Sequence, residues 1–216
     1  MTISAIEKDG CLILENLKDF DIDQIFDSGQ SFRHFLLDDG SYINIVSDNA
    51  FKFTQEGSSL KISNSDLSDF SYWKNYFDLN TDYSLIKNNY KDDPVLSKAA
   101  EFGGGIRILN QDPFETLITF ILSANNNIPR IKSNVEKISK LYGNEIDSDL
   151  GVFYSFPTAD VLADVKPEDL RANCGVGFRD ERIVKTSQMT HEGEISLDSV
   201  FEMDTASARN YLMQLP

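Results

Sequence analysis

The sequence predicts an α+β protein in which an antiparallel β-sheet comes first and an α-helical domain follows. Short apolar or alternating runs, separated by turn residues, fill the segment 11–63. From residue 65 onward, apolar residues recur at helical spacing behind good N-cap residues. Residues 1–103 are therefore predicted to form the sheet domain with flanking helices, and residues 104–216 the helical domain.

The first part of the chain is predicted to form strands joined by tight turns. Asp38-Asp39-Gly40 and Glu56-Gly57-Ser58 have the residue types of hairpin turns. Gly29, just before the second strand, permits either a turn with positive φ or a close approach by a ligand, and the residue alone favours the turn. We expect the strands at 11–17, 32–37, 42–46, 50–55 and 60–63.

Helix starts are marked along the rest of the chain. Ser65 is the expected cap of a helix that carries Trp73, and residues 103–105, three glycines, form a flexible connector. Further helices are expected to begin at Asp82, Pro94, Thr158 and Pro167 and to span 179–192 and 204–213.

The best-marked helix begins after Asp112, an N-cap residue followed by Pro113 and, at the capping-box distance, by Glu115. It should be buried, because its apolar residues share one face. They are Phe114, Leu117, Ile118, Ile121 and Leu122.

Three consecutive asparagines, Asn125 to Asn127, separate this helix from a second one that ends at Gly143. Asparagine is common in ordinary turns that have no binding role, such as those between helices. With Arg130 just behind, the same residues could instead offer a cluster of hydrogen-bond donors to exposed base edges. Chemistry alone favours the turn.

The run QDPFETLITFILSANNNIPRI, residues 111–131, resembles the 8-oxoguanine DNA glycosylases of the helix-hairpin-helix superfamily. Two shorter motifs match at the right distances, GQSFR at 29–33 and GVGFR at 175–179. The resemblance covers the chain from about residue 10 onward. It implies base-excision repair, with removal of 8-oxoguanine opposite cytosine and AP lyase activity. The implied partner is double-stranded DNA containing 8-oxoguanine, bound by a monomer without a cofactor.

The resemblance also assigns roles to five residues. Asn125 matches the residue that fills the space of the flipped base, and Arg130 and Arg179 match the two arginines that read the orphaned cytosine. Phe178 stands at the wedge position, where the family commonly has tyrosine, and Gly29 matches the glycine whose carbonyl tests the lesion. Without the resemblance, Phe178 would be interpreted as an anchor of the Gly-rich turn and Arg179 as a surface residue in the first turn of a helix.

The chemical basis of the lesion test is simple. N7 of guanine is an acceptor that repels a carbonyl oxygen, whereas N7 of 8-oxoguanine carries a hydrogen and can donate to it. The binding free energy should therefore favour 8-oxoguanine over guanine by about 1–3 kcal/mol.

The family's nucleophile is a lysine in a Gly-x-Gly hairpin, assisted by a later aspartate. The sequence ends at Gln214-Leu215-Pro216, where that hairpin would begin, and no other lysine has a matching context. We therefore expect no catalytic residue in this chain, a truncation before the catalytic hairpin and no cleavage by residues 1–216 alone. Two alternatives stay open: a helix-hairpin-helix glycosylase for alkylated bases, and a non-catalytic module that binds lesion DNA.

The formal net charge of −15 argues against a nucleic-acid partner. However, two runs that overlap the motifs are locally basic, and they are equally well explained as solvated helix faces or as an edge that faces DNA. DNA binding should be weak and strongly salt-dependent. The basic residues are Arg130, Lys132, Lys137, Lys140, Arg171, Arg179, Arg182 and Lys185.

The remaining features predict a cytoplasmic protein without a membrane segment or a metal. The N-terminus lacks the pattern of a signal peptide, and the longest apolar run, 117–122, is too short to span a bilayer. Cys11, Cys174, His34 and His191 are too scattered for a zinc or iron–sulfur site.

Overall fold

The computed structural model describes residues 2–216, which divide into two compact units. The sheet unit comprises the chain up to Val46 together with residues 50–110. The helical unit comprises residues 47–49 and 111–216. The α+β fold class is confirmed, with the antiparallel sheet in the first unit and most of the helices in the second.

Within the described residues, the sheet unit holds one six-stranded antiparallel sheet and four α-helices. The strands are β1 (Ser4–Lys8), β2 (Cys11–Glu15), β3 (His34–Leu36), β4 (Tyr42–Val46), β5 (Asn49–Glu56) and β6 (Ser59–Ser63), in the order β1-β2-β6-β5-β4-β3. The helices are α1 (Ile22–Asp27), α2 (Phe70–Tyr76), α3 (Tyr83–Asn88) and α4 (Pro94–Phe102).

Strand β1 and helix α1 were not predicted. β1 is an edge strand with mostly exposed residues, so it lacks the apolar alternation that marks a half-buried strand. Its turn to β2 is nevertheless visible in the sequence, because Asp9 and Gly10 have φ of 53° and 68°, as a tight Asp-Gly hairpin requires. Helix α1 is only six residues long and starts at an Asp21 cap, which accepts from the Gln24 amide at 3.0 Å.

An aromatic core fills the sheet unit and corrects the predicted cap at Ser65. The Ser65 hydroxyl accepts a hydrogen bond from the buried indole of Trp73 at 2.7 Å. The cap is instead Asp66, whose carboxylate accepts from the backbone amide of Ser68 at 2.7 Å. The buried indole nitrogen of Trp73 requires a hydrogen-bond acceptor, and the Ser65 hydroxyl beside the helix start provides it.

Gly105 shows that the glycine connector is not simply flexible. Its amide donates to Gln24 Oε1 at 2.8 Å, and its carbonyl accepts from the Asp21 amide at 3.0 Å. A Cβ at this position would lie 2.2 Å from Cβ of Asp21. The prediction of a flexible break is therefore wrong at Gly105, where glycine permits a close approach of two backbone segments.

The helical unit, within the described chain, contains six α-helices and a two-stranded hairpin. The helices are α5 (Pro113–Ser123), α6 (Ile128–Tyr142), α7 (Ala159–Ala163), α8 (Pro167–Asp169), α9 (Asp180–His191) and α10 (Thr205–Leu212). The strands are β7 (Glu145–Ser148) and β8 (Gly151–Tyr154), which were not predicted because each is only four residues long, too short to show a clear alternation. The predicted start of α5 is confirmed, since Asp112 Oδ1 accepts from the Glu115 amide at 2.7 Å.

Gly143 ends α6 as predicted, but for a different physical reason. Its φ is −86°, so no left-handed conformation is involved. A Cβ here would lie 1.8 Å from the backbone oxygen of Ser155. Glycine is required because the backbone that follows β8 passes close to the end of α6.

We predict that Gly143→Ala lowers the free energy of unfolding by about 1–3 kcal/mol, because the added methyl forces two backbone segments apart. Urea denaturation measures the change. Ser133→Ala, on the exposed face of α6, is the matched control and should change stability by less than about 0.5 kcal/mol. Equal stability of the two variants would contradict the close approach.

Candidate functional site

The three asparagines between α5 and α6 have three different roles. Asn127 caps α6, since its Oδ1 accepts from the Arg130 amide at 3.0 Å. Asn126 closes the preceding helix by donating from Nδ2 to the Leu122 carbonyl at 2.9 Å. Asn125 is exposed, has a φ of 51°, and its side chain forms no hydrogen bond within residues 2–216. Two of the asparagines therefore build the corner, and the side chain of the first is available to a ligand.

Arg179 holds this corner from inside the protein. The side chain is 3% exposed, and its guanidinium donates only to backbone carbonyls. Nε donates to the Ala124 oxygen at 3.0 Å, and Nη2 donates to that oxygen as well and to the Asn125 oxygen at 3.1 Å. Nη1 donates to the Val176 oxygen at 2.9 Å. One planar fork thus joins two loops that are more than fifty residues apart.

The charge of Arg179 is buried without an acidic partner. In the described part of the chain no carboxylate lies within ion-pair distance of it. Burial lowers the pKa of Arg179, and the positive charge of nearby Arg130 lowers it further. The adjacent Asp180 is bound instead to Arg171, with 2.7 Å between Oδ2 and Nε. Burial alone would raise the pKa of Asp180, but hydrogen bonding to Arg171 brings it below its ordinary value.

The turn before Arg179 needs glycine at two positions. Gly175 and Gly177 have φ of 70° and 64°, a region that disfavours other residues. The turn presents Phe178 to the outside, with the side chain 59% exposed. Cζ of Arg179 lies 4.4 Å from the centroid of the Phe178 ring. The ring is therefore supported by a buried cation and projects from the protein.

The structure brings together four of the residues that the sequence singled out, which we call the recognition cluster: Asn125, Arg130, Phe178 and Arg179. Two of the simpler interpretations are wrong. Phe178 does not anchor the turn, because most of its ring is exposed. Arg179 is not a surface residue, because its side chain is buried and donates to backbone carbonyls.

Comparisons with known proteins identify the fold. Residues 12–117 match the family model of the 8-oxoguanine DNA glycosylase N-terminal domain. All of the chain superposes on 74% of MBOgg1, solved in complex with a low-affinity DNA ligand, with a TM-score of 0.94 and 38% identity. It also superposes on 73% of the 8-oxoguanine glycosylase/lyase of Clostridium acetobutylicum, with a TM-score of 0.93 and 35% identity. The chain belongs to the 8-oxoguanine DNA glycosylase family.

Curated relatives match shorter regions of the chain. The N-glycosylase/DNA lyase of Saccharomyces cerevisiae is 44% identical over 85 residues, which is 39% of this chain and 23% of the yeast protein. Across the first three curated relatives, the matched part is 23%, 30% and 49% of their length. The chain thus spans half or less of the length of these N-glycosylase/DNA lyase relatives.

Gly29, the lesion-testing position implied by the family resemblance, lies in the sheet unit. Its φ is 78°, and its carbonyl accepts no hydrogen bond from the described residues. The neighbouring Gln30 fixes the turn, because its Nε2 donates to the Arg107 carbonyl at 2.8 Å and its Oε1 accepts from the Leu109 amide at 2.7 Å. A held turn with an unused carbonyl is what the proposed lesion test requires.

Sequence reasoning missed one buried residue beside the recognition cluster, Asn134. It stands on the apolar face of α6, three residues after Ile131 and four before Ile138. An amide on such a face is an available signal, since a buried polar group needs hydrogen-bond partners.

Other classes of site find no support in the described residues. Within residues 2–216, no helix has the length and apolar character needed to cross a bilayer. Over the same range, no three histidine, cysteine, aspartate or glutamate side chains are grouped so that they could hold a metal ion.

Proposed function

We propose that the protein acts in base-excision DNA repair and recognises 8-oxoguanine opposite cytosine in duplex DNA. The proposal includes N-glycosylase and AP lyase activities, and it is supported by relatives that are named N-glycosylase/DNA lyase. The Clostridium relative has been solved with double-stranded DNA containing cytosine opposite 8-oxoguanine. We assign recognition to the residues described here and the nucleophile to none of them.

One observation carries the proposal: two exposed side chains, Asn125 and Phe178, project from adjoining loops that one buried arginine ties together. A glycosylase must rotate its target base out of the duplex, which costs unstacking energy. Phe178 can replace the lost stacking by inserting beside the gap. Asn125 can occupy the gap itself.

Arg130 and Arg179 are the proposed readers of the orphaned cytosine. O2 and N3 of cytosine are both acceptors, and a guanidinium fork offers two matching donors. Arg130 is exposed at the start of α6 and can act at once. Arg179 must first leave the carbonyls of Ala124 and Val176. Its buried charge has no carboxylate partner, which favours exchange of those carbonyls for acceptors on DNA.

We extend the proposal to the carbonyl of Gly29, which would accept a hydrogen bond from N7 of 8-oxoguanine. The positive φ of 78° and the clamp formed by Gln30 support it, because a fixed oxygen distinguishes donor from acceptor better than a mobile one. The recognition cluster uses residues of a single chain, so we propose that the protein binds DNA as a monomer.

The test is equilibrium binding of fluorescent duplexes that contain 8-oxoguanine:cytosine, 8-oxoguanine:adenine or guanine:cytosine. The unmodified protein should bind the first duplex most tightly. If it binds guanine:cytosine equally well, lesion recognition is refuted. A preference for a duplex with an alkylated base would favour the alternative glycosylase class.

We predict that Asn125→Gly weakens binding to the 8-oxoguanine:cytosine duplex about tenfold, because the gap is left empty. Glycine is the right replacement, since it adopts the φ of 51° without strain. Thermal unfolding should show little loss of stability. Asn210→Gly, at an exposed position on α10, is the control and should leave binding unchanged. Unaltered binding by Asn125→Gly would remove Asn125 from the site.

A further inference from the structure

A buried amide lies next to the recognition cluster. Asn134 is 3% exposed, on a helix face that it shares with Ile131, Val135 and Ile138. A polar side chain at such a position lowers stability unless both of its ends are hydrogen-bonded. Packing alone would favour an apolar residue at this position. The role of the amide must therefore come from its hydrogen-bond partners.

The two ends of the Asn134 amide bind two different loops. Nδ2 donates to the carbonyl of Cys174 at 2.7 Å. Oδ1 accepts from Nδ2 of Asn126 at 3.4 Å, and the same Asn126 amide also donates to the Leu122 carbonyl. Nδ2 lies 3.5 Å from the position of a Cβ on Gly175, so the turn packs directly against it.

These two loops carry the exposed members of the recognition cluster. Asn126 directly follows Asn125, and Cys174 opens the turn that presents Phe178. Arg179 joins the same loops, but under the proposed function it must release them in order to contact a base. Asn134 does not face solvent, so DNA contact by Arg179 would not require it to release its own hydrogen bonds.

We propose that Asn134 is a positioning residue, which holds the Asn125 loop and the Phe178 turn at a fixed separation when Arg179 turns to the DNA. The inference rests on the proposed function. Asn134 itself touches no DNA. It acts through Asn126 and Cys174, whose backbone positions set where the gap-filling and wedging side chains project.

The test compares Asn134→Leu with Ile138→Val. Leucine keeps the branching and the number of heavy side-chain atoms of asparagine and removes both hydrogen bonds. Ile138→Val removes one buried methylene from the same helix, and Ile138 contacts neither loop through a hydrogen bond. Both variants are measured well below their unfolding temperatures. We expect Asn134→Leu to reduce the preference for 8-oxoguanine:cytosine over guanine:cytosine about fivefold. Ile138→Val should leave that preference within about twofold.

A double-mutant cycle separates positioning from general stability. If Asn134 acts through Phe178, then Asn134→Leu should cost less binding when Phe178→Ala is already present. Equal lesion preference in Asn134→Leu and Ile138→Val, or strictly multiplicative effects with Phe178→Ala, would overturn the inference. If Asn134→Leu does not fold, Asn134→Ala, which removes the same bonds with less steric demand, replaces it with the same expected outcomes.

Failure of the proposed function gives a different pattern. In that case Asn125→Gly and Phe178→Ala leave lesion binding unchanged, and the positioning inference falls with it. When those two variants weaken binding and Asn134→Leu matches its control, only the positioning inference fails.

Discussion

Arg179→Met is expected to lower the free energy of unfolding by about 3 kcal/mol, because the buried carbonyl of Val176 and the partly buried carbonyl of Ala124 lose their charged donor. Methionine can fill the space but cannot donate to the oxygens of Ala124 and Val176, which the guanidinium now satisfies. Chemical denaturation measures the loss.

The same replacement is expected to abolish most of the preference for cytosine opposite the lesion. A bidentate contact to a base contributes about 1–3 kcal/mol, so the ratio of affinities for 8-oxoguanine:cytosine and 8-oxoguanine:adenine should fall about tenfold to a hundredfold. Arg179→Lys tests the positive charge and the planar guanidinium fork separately, because lysine keeps the charge but its ammonium group cannot reproduce the fork. It should keep part of the DNA affinity and lose the opposite-base preference.

Arg182→Met is the matched control for lost charge, because it removes one exposed arginine from α9. It should weaken all duplexes by a similar factor and leave stability nearly unchanged. If Arg179→Met retains the cytosine preference, Arg179 is only a structural clamp for the loops, and the reading role falls to Arg130 alone.

Phe178→Ala is expected to weaken binding of the 8-oxoguanine:cytosine duplex by about tenfold to a hundredfold, because stacking of an aromatic side chain on a base contributes about 1–3 kcal/mol. The ring is 59% exposed, so little buried surface is lost. The contact of the ring with Arg179 is worth about 0.5–1 kcal/mol at an exposed site. Stability should therefore fall by about 1 kcal/mol or less, and the effect should be on DNA.

Phe201→Ala provides the comparison, since Phe201 is also a largely exposed phenylalanine of the helical unit, at 72%. This variant should bind the lesion duplex as the unmodified protein does. A lesion analogue beside 2-aminopurine reports base unstacking directly, and Phe178→Ala should reduce its fluorescence increase. Full unstacking by Phe178→Ala would exclude a wedge role.

Several parts of the site could be predicted because their causes are local. Asp112 and Pro113 mark the start of α5, and both act within four residues of the chain. The motifs around Gly29 and Phe178 could also be recognised, because each is a short continuous segment of the sequence. Their roles in DNA recognition stay proposals.

Other features could not be predicted because no local pattern encodes them. Strand β1 is held by pairing with β2 rather than by its own apolar alternation. The strands β7 and β8 are only four residues long and are held by pairing with each other, and the hydroxyl of the serine expected to cap α2 accepts instead from an indole eight residues away. In each case a contact with another segment of the chain, rather than the local residue pattern, determined the structure.

The sequence by itself determined the α+β class and most helix starts, because periodicity and capping act over a few residues, and the resemblance of three motifs indicated the family. Tertiary structure decided how the recognition cluster is held. Arg179 finds carbonyls 55 residues earlier in the chain, and Asn134 reaches a carbonyl 40 residues later. Such bonds depend on the chain returning to the same place, and the hydrophobic core fixes that return.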